Sequence, residues 1–213
     1  MFRFLLNLLF PQNELVSELE EMTVETFLAA AAKSETRAGR EIVSLFDYRH
    51  ALTRRAVWEL KYRGNQRVAA LLGRILHDEL LAFLEEYGPL ANFTEPLLIP
   101  VPLSRERRRE RGFNQCELLI DAVMRCDMAK NFSFQKSVLI KVRETPSQTK
   151  TESRSERHEN LKGCFCVAEP ALVGGRNVVL IDDVATTGAT LEEARKALRA
   201  AGARRVVAFT IAH

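Results

Sequence analysis

The stretch VVLIDDVATTGAT, residues 178–190, places four apolar residues before two adjacent acids and then a run of Ala, Thr and Gly. A short continuous apolar run of this kind reads as a strand buried on both faces. Asp182 and Asp183 at its end repel each other, and carboxylates are not taken out of water without partners. The run therefore predicts a strand end built to meet something that binds acids.

The two segments C-terminal to it, TLEEARKALRAAG and RRVVAFTIAH, read as a helix and a second buried strand. Strand, helix and strand in that order predict a parallel sheet, and open α/β sheets gather ligands beyond the carboxyl ends of their strands. The loop Ala185, Thr186, Thr187, Gly188, Ala189 and Thr190 leads into a helix N-terminus. Small residues there let backbone amides approach an anion, and the helix dipole favours negative charge. Gly188 permits a positive φ that other residues resist. The geometry predicted is a pair of acids for hydroxyls or a metal beside an amide cradle for a phosphate.

Outward from this core, IVSLFDY (42–48) and PLLIPVPL (96–103) read as strands, the latter with Pro100 and Pro102 marking an edge or abrupt end. ALTRRAVWELKYRGN predicts a short helix ending near Gly64. Val68, Leu71, Leu72, Ile75, Leu76, Leu80, Phe83 and Leu84 make one apolar face of a long helix that stops at Gly88–Pro89. SRERRRERGFNQCELLIDAVMRC begins as a charged loop or turn and becomes a helix from about Asn114. SVLIKVR and GCFCVA predict two strands bracketing a polar stretch, 144–162, long enough to act as a lid. Residues 1–41 form a separate unit: an apolar arm, a helix carrying Leu15, Leu19, Met22, Phe27 and Ala31 with Asn13 as cap, and a polar linker.

The 213 residues are 46% hydrophobic and 28% charged, enough for one globular domain of 42–213 with that appendage. Net charge is only +3, so any basic surface comes from local clusters such as RERRRER. The four cysteines form no C-x-x-C pair, which argues against a zinc ribbon or dithiol motif and for a reducing compartment. The arm MFRFLLNLLF is too short to span a bilayer and has no basic start or cleavage site. A cytoplasmic protein is expected, with the arm covered by its own core or by a second copy in a homodimer.

VVLIDDVATTGAT resembles the phosphoribosyl pyrophosphate (PRPP) signature of type I phosphoribosyltransferases. WELKYRG, IPVPLSRERRRERGFNQ and RETPSQTKTESRSERHENLKGCF resemble, in order, segments of the ComF family of competence-associated phosphoribosyltransferase-like proteins. The resemblance covers 42–213. Many members start with a cysteine-rich zinc ribbon, whereas residues 1–41 contain no cysteine, so no zinc is expected here. The resemblance implies the α/β type I phosphoribosyltransferase fold: a mostly parallel sheet flanked by helices, with a hood and a flexible lid.

It also implies roles. Asp182 and Asp183 would meet the ribose hydroxyls, directly or through Mg²⁺ and water, and the loop 185–190 would hold the 5′-phosphate. Lys61, Ser104, Arg105 and Arg107 would face the pyrophosphate. Arg143, Gln148, Lys150, Arg154 and Arg157 would close over the ligand as the lid. Where purine-salvage members of the class place an Asp in the phosphate loop, this chain has Thr186, which argues against a hypoxanthine- or guanine-type acceptor. Two functions stay open at this point. One is Mg²⁺-dependent transfer of phosphoribosyl to an unidentified, nitrogen acceptor with pyrophosphate release. The other is a silent adaptor on the same fold that contacts single-stranded DNA or a helicase-like DNA-uptake partner through the arginine cluster.

Overall fold

The computed structural model describes residues 14–34, 41–143 and 161–213. Its centre is a five-stranded sheet made of β1 (Ile42–Phe46), β2 (Leu97–Pro100), β3 (Ser133–Phe134), β6 (Asn177–Val184) and β7 (Arg205–Ala212). The order is β1-β7-β6-β2-β3 and every pairing is parallel. All carboxyl ends therefore open on one edge. A separate antiparallel pair, β4 (Leu139–Lys141) and β5 (Phe165–Val167), forms a small hood.

Two helical layers cover the sheet, and the alternation of side chains along β6 shows how. Val179 and Ile181 pack with Phe209 and Ile211 into a core shared with α3 (Ala51–Trp58), α4 (Gln66–Ala91) and α6 (Gln115–Cys126). Val178 and Leu180 face the other way, toward α7 (Ala189–Ala200) and the hood, with Leu191, Ala194, Leu198 and Phe165. Apolar side chains on both faces are what a covered parallel strand requires.

The helix expected over the first described residues is broken into α1 (Glu14–Glu21) and α2 (Val24–Ala30). Thr23 makes the break by accepting the Thr26 amide hydrogen as a new N-cap. Both helices share the main core: Leu19 and Phe27 are buried, and Phe27 meets Phe46 of β1 edge to face at 5.3 Å. Residues 1–13 and 35–40, which include the arm and most of the expected linker, lie outside the described residues.

Three further differences have local chemical causes. RERRRER is a helix, α5 (Arg105–Arg111), because Ser104 caps the Arg107 amide and Gly112, at φ +77°, closes the other end. The long helix runs past Gly88–Pro89 to Ala91, where left-handed Asn92 ends it, since a proline in the last turn forfeits a single bond. Strand β3 has no counterpart in the sequence pattern, because two residues give no periodicity to read. Among the described residues no helix is long and apolar enough to cross a membrane.

Helix α4 crosses α6 at Gly73, where an added Cβ would lie 2.3 Å from the Ala122 Cβ. In an open helix Gly→Ala gains ~1 kcal/mol. Here overpacking of ~1–3 kcal/mol opposes it, and both clashing atoms are fixed to backbone. Gly73→Ala is therefore expected to lower stability in denaturant unfolding. A more stable variant would show that the two helices are not held at this distance.

Candidate active site

Four pieces of chain meet at the carboxyl edge of the sheet. The first is the end of β6, where Asp182 and Asp183 come directly after Ile181. Asp183 is buried, and its backbone N–H donates to Asp182 Oδ1 at 2.9 Å.

The second is a single turn of π-helix, Glu59–Arg63, that continues α3. Buried Glu59 holds Arg55 at 2.9 Å and Arg63 at 3.7 Å, and both guanidinium groups lie over the Trp58 ring. Gly64 closes the turn at φ +59°, with the Phe113 ring only 2.9 Å from where a Cβ would stand. This wide turn delivers Lys61, whose Nζ lies 2.9 Å from Asp183 Oδ2.

The third piece is the junction of α5 and α6. Asn114 caps the Cys116 amide, and its Nδ2 donates to the Val101 carbonyl, which fixes α6 to the loop after β2. The first two residues of α6 then reach the acids. Gln115 Nε2 lies 3.5 Å from Asp183 Oδ1, and Cys116 Sγ donates to Asp182 Oδ1 at 3.4 Å. Arg111 donates to Gln115 Oε1 at 3.0 Å and stacks over Tyr62.

The fourth piece is the loop from β6 into α7. Gly188 is its left-handed N-cap at φ +77°, and Thr187 Oγ1 accepts the Ala189 amide hydrogen. Residues 185–190 enclose a hollow of ≈ 20 Å³ with Asp182 at its rim. About 10–15 Å³ suffices for one water, so this hollow is of the scale of a single small group at a helix N-terminus. It adjoins a cavity of ≈ 240 Å³ that the acids, Thr186 and Thr190 also line. Lys61, Arg107, Arg111 and Lys141 face that cavity, and Leu161 and Phe165, on the hood side, wall it.

The two carboxyls are pushed in opposite directions. Burial, and then the charge of Asp183 alongside, raises the Asp182 carboxyl to about 8. Burial also pushes Asp183 up, but the charge and hydrogen bond of Lys61 outweigh it and hold Asp183 below its ordinary value. Burial opposes the Lys61 ammonium in turn, and the Asp183 charge again outweighs it, so the Lys61 pKa rises. Burial, with the Asp182 charge, pushes the Cys116 thiol well up. The site thus favours an ionised Asp183 paired with a charged Lys61, beside an Asp182 whose carboxyl is pushed upward.

The expected residues separate clearly. Lys61, Ser104, Arg107, Asp182, Asp183 and the loop 185–190 gather around the two adjoining spaces. Arg105 does not: it lines an adjoining groove of ≈ 570 Å³ with Arg108 and Lys136. Arg143, the last described residue before 144–160, donates to the Lys162 carbonyl. Gln148, Lys150, Arg154 and Arg157 lie outside the described residues. Sequence reasoning missed Tyr48, Arg111, Gln115, Cys116 and Lys141. The available signal was GFNQC directly after the arginine run, which marks a helix cap but not what the next two side chains touch.

The model of the phosphoribosyl transferase domain family matches residues 122–213. The chain is 33% identical to the DNA utilization protein YhgH of Salmonella typhi over 168 residues, covering 78% of this chain and 69% of that one. It is 31% identical to the competence protein ComFC of Bacillus subtilis (strain 168), over 81% of this chain and 64% of the other. Among solved structures it is similar to a hypoxanthine phosphoribosyltransferase from Staphylococcus aureus, with TM-score 0.40, 14% identity and coverage of 68% and 63%.

The charge arrangement makes a stability prediction. Unfolded Asp182 loses its proton near the ordinary value of 3.8, whereas the folded residue keeps it to about 8. Across that window the folded state binds more protons, so this group costs stability as pH rises. Asp182→Asn is expected to stabilise the protein by ~1–3 kcal/mol at pH 8 and hardly at all at pH 4, measured by urea unfolding at both values. An equal effect at the two pH values would contradict the raised carboxyl.

Proposed function

Since the chain belongs to the ComF family and carries the phosphoribosyl transferase domain, we propose that it binds PRPP with Mg²⁺ and transfers the phosphoribosyl group to a nitrogen acceptor, releasing pyrophosphate. The observation that carries this reading is a pair of adjoining spaces: a hollow at the α7 N-terminus lies beside a cation-faced cavity, and Asp182 lines both.

The donors at the strand end fit such an ion through their oxygens. Cys116 Sγ and one oxygen each from Asp182 and Asp183 lie within 4.8 Å of one another. Hard carboxylate oxygens suit Mg²⁺, whereas a thiol does not. Asp182 and Asp183 would therefore hold the ion, directly or through water, and Cys116 would not. Bound Mg²⁺ supplies positive charge that eases departure of pyrophosphate.

The protein's own groups account for the rest. Backbone amides of 186–189 and the threonine hydroxyls bind the 5′-phosphate; the Ala185 N–H, expected in that cradle, is instead donated to the Ala212 carbonyl at 2.9 Å. The carboxylates accept hydrogen bonds from the ribose hydroxyls. Lys61, Arg107, Arg111 and Lys141 stabilise the charge that grows on pyrophosphate as the C1–O bond breaks and C1 gains oxocarbenium character. Leu161 and Phe165 limit water at that centre. Exposed Thr186 stands in the phosphate loop where an acceptor-assisting acid would be needed for a purine.

A second reading draws on the names of the relatives and on the adjoining groove, where Arg105, Arg108 and Lys136 lie outside the cavity. It takes the chain as a DNA-contacting adaptor. Calorimetric titration with PRPP, with and without Mg²⁺, separates the two. The transferase reading expects Mg²⁺-dependent binding that Asp182→Asn/Asp183→Asn loses by ~100-fold or more, the scale of two lost charge-assisted contacts. Indifference of the folded wild type to PRPP, together with single-stranded DNA binding that falls steeply with salt and survives the double substitution, would favour the adaptor.

A further inference from the structure

We propose that Gln115 and Cys116, the first two residues of α6, are positioning residues that set the orientation of the acid pair, an inference that rests on the transferase reading above. Asp182 Oδ1 takes two donors, the Asp183 backbone N–H at 2.9 Å and the Cys116 thiol at 3.4 Å. Asp183 is gripped from both sides, by Lys61 at Oδ2 and by the Gln115 amide beside Oδ1. Both carboxylates are thereby held from one helical turn.

That turn is itself fixed. Arg111 donates to Gln115 Oε1, which leaves the amide nitrogen turned to Asp183. Asn114 caps the helix and ties it to the Val101 carbonyl. Val101 in turn donates to the Ile181 carbonyl, one residue before the pair. The loop that carries the pyrophosphate-side residues and the strand that carries the acids are thus joined through α6. Cys116 and Gln115 are both buried, so neither contact competes with bulk water. A thiol is small enough to sit beneath the acids and still donate weakly.

The test uses three variants of the full chain: Cys116→Ala, which deletes the donor, Cys116→Ser, which keeps one, and Gln115→Leu, which deletes the amide at similar length. Each is measured for PRPP affinity in the presence of Mg²⁺, for thermal midpoint, and by a crystal structure of the free protein. Cys116→Ala and Gln115→Leu are expected to bind ~10-fold more weakly or worse, with Cys116→Ser within ~3-fold of wild type, the usual scale for groups that orient ligand-binding side chains. Their midpoints stay near wild type, and their structures show a turned Asp182 or Asp183 carboxylate.

Wild-type affinity in Cys116→Ala and Gln115→Leu would overturn the inference. So would Cys116→Ser and Cys116→Ala losing affinity equally with matching falls in midpoint, which is the mark of packing alone. If the wild type itself takes no PRPP, the transferase reading fails, and the free structures decide the positioning separately. Carboxylates unmoved in those variants overturn it; carboxylates that turn sustain it.

Discussion

The ion pair between Lys61 and Asp183, set beside an Asp182 whose carboxyl burial pushes up, is the constraint on which the rest of the site depends. Two carboxylates at a buried strand end cannot both be ionised without compensation. The chain supplies one fixed cation at 2.9 Å and lets the second acid keep its proton to about pH 8. The result is an arrangement that is ready to exchange its partners. A ligand bringing hydroxyls and a divalent cation would replace what Lys61 and the proton provide, and the lysine would then face a cavity that already holds three other cations.

Much of the surrounding architecture can be traced to delivering that lysine and those acids to one place. A regular α-helix through 59–63 would turn Lys61 by a different angle. The π turn is kept by Glu59 between Arg55 and Arg63, and by left-handed Gly64 under the Phe113 ring. Wide turns of this kind recur at functional sites because they re-aim a side chain at the expense of regular hydrogen bonding. The parallel pairing of β2 with β6, in register from Leu97 and Val178 to Pro100 and Ile181, brings the loop after Pro100 beside the acids. The close approach of α4 to α6 at Gly73 sets where the α6 N-terminus stands.

How far this is legible in the residues depends on the kind of signal each feature leaves. The central strand, its acids and the loop into α7 are readable because apolar runs, adjacent charges and glycine are each strong and local signs. The long apolar face of α4 is readable for the same reason, while its end lies two residues past Pro89 because a terminal proline costs less than an internal one. Arg105 falls in a different space from the one expected because a loop or turn reading of RERRRER leaves rotation undefined. Once it is a helix, Arg107 and Arg111 fall on one face, and Arg105 and Arg108 on another. Gln115 and Cys116 leave no sign, since an uncharged amide and a thiol declare nothing until the strand end they touch is in place. The π turn is hidden too, although Arg55, Glu59 and Arg63 stand at the i,i+4 spacing that holds it.

The central claim is tested most directly by a crystal structure of the protein with PRPP and Mg²⁺. The expected result has the 5′-phosphate against the amides of 186–189, the ribose hydroxyls at Asp182 and Asp183, and the pyrophosphate between Lys61 and Arg107, with Lys61 withdrawn from Asp183. A structure at saturating ligand that leaves the Lys61–Asp183 pair intact, or places the phosphates in the groove of Arg105 and Arg108, would contradict it.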